Sequence, residues 1–464
     1  MIPLTLAEIA EVTGGALTGD ADPAALVSGG VEFDSRRIGP GGLFLALAGE
    51  HADGHDFVDA ARAAGAAAAL VSRPVPAPAI VVPDVLAALS RLAHAVVRRL
   101  PDLTVVGITG SSGKTSTKDL VADLLRRRGP TVAPPGSFNN ELGHPYTILL
   151  AKPESRYLVL ENSARGIGHI AALCAVARPD ISVVLNVGTA HVGEFGSKEA
   201  IAQAKGELVE CLAPEGVAVL NADDPLVCAM AGRTRARVVR TGQAATADVR
   251  AEGVRLDGRG RPSYLLVARG ERHPVTLGLV GAHHVGNSLA AAAVALELGM
   301  APADVATALG DARPASRWRM EVVERPDGVT IVNDAYNANP ESMRAALETL
   351  AALAAGRRSW AVLGEMAELG PRSAGEHDAV GRLAARLGVD RLVVVGERAA
   401  AIHDGAVQEG AHGRAGRESV QVPDIAAAVR VLRNDLRAGD VVLVKASRAV
   451  GLERVVDLLM EENP

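Results

Sequence analysis

Short, unbroken apolar runs rich in Val, Ile and Leu recur along the chain and alternate with helical stretches. In the middle third they are Thr104–Thr109, YLVLE at 157–161, ISVVLNV at 181–187 and VAVL at 217–220. In the last third they are VTIVND, WAVLGE, RLVVVGE and VVLVKA. A run with no polar alternation fits a strand covered on both faces, which is the situation in a parallel sheet flanked by helices. The pattern therefore predicts an α/β fold. Residues 245–280 differ: they are charged, glycine-rich and alternating, and predict a small antiparallel flap on the main sheet.

Punctuation divides the chain into three. Residues 1–100 open with a capping box, Thr5-x-x-Glu8, over Leu6, Ile9 and Ala10, and Gly14-Gly15 stops that helix. Two short strands follow on either side of Pro40-Gly41-Gly42, and Pro101 marks the exit. Residues 101–312 form a central domain and residues 313–464 a separate, doubly wound, Rossmann-like domain. Asn339-Pro340 opens the first helix of the latter as an N-cap and N1 pair.

Composition narrows the function. A length of 464 residues suits about three domains. The net charge of −6 and 2% aromatic content argue against nucleic-acid binding. Cys174, Cys211 and Cys228 form neither a disulfide framework nor a zinc knuckle. The start of the chain, with Glu8, Glu11 and no basic region, does not read as a signal peptide, and no apolar run reaches about 18 residues. The expectation is a reduced, cytoplasmic protein with no membrane span, working as a monomer.

The densest chemical signal is TVVGITGSSGKTST at 104–117. A buried strand breaks into Gly110, Ser111, Ser112 and Gly113, whose backbone N–H groups can approach a triphosphate. Lys114 can then reach the β and γ oxygens, and the Thr115 hydroxyl can hold Mg²⁺. The loop is shorter than the common P-loop, which would place Gly where Ile108 stands. Glu161 ends its strand at the carboxyl edge, where open α/β sheets bind ligands, and His191 follows the next strand on the same edge. Lys205 lies on the helix after that. Singly, each has a commoner explanation as a surface glutamate, a structural histidine or a solvent-facing lysine.

Taken in order, GSSGKTS, NVGTAHVGEFGSKEAIAQAKGELVE, LNADDPLV, SRWRMEV, NDAYNANPESM, LGEMAELG and KASRAVGLE resemble the Mur ligases of peptidoglycan synthesis. The resemblance spans all three segments. It implies an ATP-dependent amide ligase that joins D-alanyl-D-alanine to a UDP-N-acetylmuramoyl-tripeptide through an acyl phosphate. It also implies roles. Gly110, Ser111, Ser112, Gly113, Lys114, Thr115 and Ser116 hold ATP, with Asn287, Arg317 and Asp334 around the nucleotide. Thr115, Glu161, His191 and Lys205 hold Mg²⁺, two ions in all, with Lys205 carrying a carbamate. Lys114, His191 and Lys205 serve the chemistry directly. Tyr336 and Asn337 meet the dipeptide, and Asp34, Ser35 and Arg36, with the Gly49 to His55 loop, meet the UDP end.

Three departures from the family pattern stand out: Ser163 in place of a glycine, His283-His284 in place of His-Asn, and Lys445-Ala446-Ser447 in place of Lys-Gly-Ser. The first sits nearest the metal residues and raises the question of a backbone angle that serine adopts poorly. Two other readings remain. A sister ligase of the folylpolyglutamate type lacks the UDP-sugar domain that residues 1–100 supply. A P-loop switch NTPase does not account for the α/β domain that follows.

Overall fold

The computed structural model describes residues 1–49, 52–189, 192–410 and 418–461. Three sheets carry the fold. The first has five strands in the order Ala16–Thr18, Ala79–Val81, Ala68–Val71, Leu43–Leu45 and Val31–Glu32, parallel except for the first pair. Thr5 caps the first helix through Glu8, and Gly14 ends it at φ 66°, as the capping box and the glycine pair predict.

The central sheet has nine strands. Thr104–Thr109 lies at its heart between Tyr157–Glu161 and Ile181–Val184, in parallel register with both. Two paired antiparallel strands, Pro262–Ala268 and Glu271–Thr276, extend it at one edge beyond Val249–Leu256. This is the expected flap. Val249–Leu256 itself joins the main sheet in parallel with Arg237–Gly242.

The third sheet has six strands. It is parallel apart from Glu321–Glu324, which pairs antiparallel with Thr330–Asn333 at one edge. Asn339 caps the helix Pro340–Leu353 there.

Packing does not follow the proline at 101. The helix Val85–Arg98 buries Leu89, Leu92 and Val96 in one continuous core with Val105, Ile148, Leu158 and Leu160 of the central domain. The first domain is thus fused to the central sheet by apolar burial, and the helix is shared between them. Tyr146 adds a polar tie, its hydroxyl donating to Glu32 at 2.9 Å, and its ring stacks on Phe138 at 5.4 Å.

Candidate active site

A cleft of about 350 Å³ opens where the central and C-terminal domains meet. Its walls include Ser111 to Ser116, Glu161, Asn287, Asp334, Tyr336 and Asn337. The loop at Ser111 to Ser116 and Glu161 sit at the ends of Thr104–Thr109 and Tyr157–Glu161 in the central sheet, while Asp334, Tyr336 and Asn337 follow Thr330–Asn333 of the C-terminal sheet. Such strand ends are where open α/β sheets bind ligands.

The phosphate loop is built by three local constraints. Gly113 takes φ 82°, and a Cβ there would stand 2.5 Å from Asn287 Oδ1, so only glycine fits. The Ser111 and Ser112 N–H groups donate to the Asn186 carbonyl and Oδ1, at 3.2 and 3.0 Å, which holds the loop against the neighbouring strand end. An incoming phosphate is therefore left the N–H groups at the start of the helix Lys114–Arg126, where the helix dipole adds its positive end. Lys114 Nζ donates to the Gly110 carbonyl at 2.6 Å, and burial lowers its pKa to about 8.

Glu161 is fully buried at the end of its strand. Its Oε2 accepts from Thr115 Oγ1 and Asn139 Nδ2, each at 3.3 Å, while Oε1 has no partner among the described residues. Burial pushes its pKa up, against the pull of Lys118, Arg319 and Lys114. A buried carboxylate oxygen with no donor, beside a hydroxyl, is a hard-oxygen set that suits a divalent cation such as Mg²⁺. Among the described residues no three His, Cys, Asp or Glu side chains converge, so a metal here would draw on mixed ligands. His191 lies outside the described residues.

Lys205 is buried on the helix Lys198–Glu210. That helix is anchored by Glu207, whose carboxylate accepts from the Gly168 and Ala171 N–H groups at 2.5 and 3.0 Å. Burial, with Lys114 nearby, depresses the Lys205 pKa well below the usual range for a lysine.

The C-terminal domain supplies the other wall. Arg319 Nη2 donates to Ser137 Oγ at 3.0 Å and Thr115 Oγ1 at 3.2 Å, and its guanidinium lies 4.1 Å from the centre of the Tyr336 ring. Trp318 and Met320 on either side both adopt left-handed backbone, at φ 60° and 53°, a strained arrangement that turns Arg319 into the cleft. Lys445 Nζ donates to Asp334 Oδ2 at 2.5 Å and to the Asn337 carbonyl at 2.8 Å.

The expected residues do not all meet. Arg317 stays out of the cleft lining and lies over the Trp318 ring at 5.3 Å, and the neighbouring Arg319 lines the cleft in its place. Asp34, Ser35 and Arg36 are not in the lining either. Asp34 closes on Arg36 through two bonds of 2.9 and 2.7 Å, and that guanidinium pulls the Asp34 pKa down to about 2. In the Gly49 to His55 loop, Glu50 and His51 lie outside the described residues. Ser163 is not among the residues with positive φ, so serine sits there without the strain its sequence position suggested. His283 and His284 pack ring to ring at 4.2 Å, and burial keeps both neutral, His283 at about 4.

Sequence reasoning missed Arg319, Lys445 and Asn139. In SRWRM two arginines alternate and nothing local distinguishes them. Lys445 opens the KASRAVGLE stretch but carries no sign there of its partner, and Asn139 sits in a polar loop with no motif of its own.

A P-loop on a parallel sheet, facing a second α/β domain across a cleft, defines a nucleotide-dependent enzyme of the Mur ligase type. The chain belongs to that family: the Mur ligase middle domain matches residues 108–295, the glutamate ligase domain 318–448 and the Mur ligase family catalytic domain 29–105. It is 55% identical to the UDP-N-acetylmuramoyl-tripeptide–D-alanyl-D-alanine ligase of Mycobacterium tuberculosis, over 100% of this chain and 99% of that one. The crystal structure of MurF from Acinetobacter baumannii superposes with a TM-score of 0.86 at 31% identity, covering 99% of both chains. The MurF ligase from Thermotoga maritima in complex with ADP gives 0.79 at 31% identity, over 94% of this chain and 98% of that one.

Proposed function

We propose that this protein is an ATP-dependent amide ligase joining D-alanyl-D-alanine to UDP-N-acetylmuramoyl-tripeptide. The observation that carries the reading is the cleft itself. It places a phosphate loop, a buried carboxylate with a free oxygen and the Tyr336–Asn337 loop of a second domain around one space. Full-length similarity to ligases of that name supports the choice of substrates.

The chemistry follows from these residues. The tripeptide's terminal carboxylate attacks the γ-phosphorus of ATP, giving an acyl phosphate and ADP. The dipeptide amine then attacks the acyl carbon, and phosphate leaves as the amide forms. Lys114 neutralises charge on the phosphoryl group, and Arg319 offers a second cation across the cleft. Thr115 and Glu161, with His191 and a carbamate on Lys205, would hold Mg²⁺, two ions in all. Magnesium supplies charge neutralisation at the phosphates. Burial disfavours the ammonium form of Lys205; an amine adds CO₂ in its neutral form, and the resulting carboxylate-like oxygen suits a hard cation where an ammonium would be repelled. Asn287 and Asp334 flank the nucleotide, Tyr336 and Asn337 the dipeptide. Asp34, Ser35 and Arg36 belong to the UDP end, which lies on the first domain rather than in the cleft.

No helix among the described residues is long and apolar enough to cross a membrane, and the three cysteines are free. The free cysteines fit a reducing compartment, and the reading places the protein at work in the cytoplasm. Purified protein given ATP, Mg²⁺, the UDP-linked tripeptide and D-alanyl-D-alanine is expected to release ADP and form the UDP-linked pentapeptide, read by mass spectrometry. ATP hydrolysis that proceeds equally well without either substrate would refute the reading.

A further inference from the structure

Asn339 and Glu341 of the C-terminal domain reach the phosphate loop at Ser111 and the adjoining loop at Thr189, contacts that have so far been given no part in the site. Asn339 Oδ1 caps its helix by accepting from Ser342 N–H at 2.9 Å, which leaves Nδ2 to donate to the Ser111 carbonyl at 3.3 Å. Two residues on, Glu341 Oε1 accepts from both the Thr189 N–H at 2.7 Å and the Thr189 hydroxyl at 2.9 Å. The approach is close: a Cβ on Gly188 would stand 2.6 Å from the Glu341 carboxyl carbon, so a larger residue there would push that carboxylate away from Thr189. Gly188 N–H in turn donates to Ser111 Oγ at 2.8 Å. The contacts close a ring through Ser111, Gly188, Thr189, Glu341 and Asn339, partners 152 and 228 residues apart in sequence.

We propose that Glu341, with Asn339, is a positioning pair that locks the Tyr336–Asn337 loop to the phosphate loop. The inference rests on the ligase reading given above. Tyr336 and Asn337 lie immediately before Asn339 on one short segment, so a dipeptide held by them is placed relative to phosphates held at Lys114 and Thr115. In-line reactions lose rate steeply when such placement slips by about 1 Å. A glutamate in the first turn of a helix also interacts with the helix dipole, a purely structural role. The two roles separate by chemistry. The dipole responds to charge, whereas the lock needs only an acceptor oxygen where Oε1 lies.

The test compares wild type with Glu341→Ala and Glu341→Gln. Amide exchange at Thr189, read by mass spectrometry on substrate-free protein, is expected to rise about tenfold or more in the alanine variant. Its kcat for ligation is expected to fall about tenfold or more, with thermal unfolding little changed. Glutamine keeps the acceptor oxygen without the charge, and restores both within about threefold. Unchanged exchange at Thr189 in the alanine variant, or a glutamine variant as impaired as alanine, overturns the proposal. If wild type does not ligate its two substrates, the functional reading fails, and the exchange measurement still decides the lock.

Discussion

Lys445 and Asp334 form a buried ion pair, Nζ to Oδ2 at 2.5 Å, beneath the Tyr336–Asn337 loop. Burial lowers the Lys445 pKa, and Asp334 opposes that shift. Asp334 also accepts from the Met320 N–H at 3.1 Å, which fixes the strained turn next to Arg319. One carboxylate thus braces both the Arg319 turn and the Tyr336–Asn337 loop in the wall that the C-terminal domain gives to the cleft.

Asp334→Ala strands the Lys445 charge, and breaking a buried pair in this way costs about 3–5 kcal/mol. The expected outcome is a lower midpoint in urea unfolding, partly recovered when Lys445→Met is added. Equal stability of the single variant and wild type would show that the pair is solvated in solution.

Lys114→Ala is expected to reduce ligation by about 100-fold or more, since Lys114 is the cation aimed from the loop at the phosphates. Circular dichroism should be unchanged, because the one bond lost in the free protein is a side-chain contact to the Gly110 carbonyl. Turnover near normal would remove the loop lysine from the mechanism.

Arg319 and Arg317 make a matched comparison two residues apart. Arg319→Ala removes the donors to Ser137 and Thr115 and the contact with Tyr336, and is expected to lower kcat by about 10–100-fold. Arg317→Ala removes a stack on Trp318 that Arg448 also makes, from 4.4 Å, and should stay within about threefold. Steady-state kinetics on the pair would reveal a reversed order if Arg317 is the one that meets the nucleotide.

Lys205→Ala should lose about 10–100-fold in kcat, and short carboxylic acids should partly restore it. Isotope-labelled bicarbonate should also give wild type a carbamate signal in carbon NMR that the alanine variant lacks. A fully active alanine variant, or wild type with no such signal, would leave Lys205 an ordinary buried lysine.

Much of this protein is determined locally. The apolar runs predict the parallel strands of both large sheets, because a strand covered on two faces tolerates few polar side chains. The capping pairs Thr5/Glu8 and Asn339-Pro340 predict their helices, because a helix start is decided within four residues. The Gly110–Thr115 loop is legible for the same reason: its conformation needs glycine at Gly113 and its function needs Lys114 and Thr115 beside it. What the chain does not display locally was decided by tertiary structure. That Arg319 rather than Arg317 lines the cleft depends on two left-handed residues that no short-range pattern marks. The shared core around the helix Val85–Arg98 joins segments separated at Pro101, since apolar burial ignores sequence boundaries. The free oxygen of Glu161, the pair of Lys445 with Asp334 and the ring through Ser111, Thr189 and Glu341 arise between distant segments. Such contacts depend on where three sheets place their edges, and that is a property of packing rather than of any stretch of sequence.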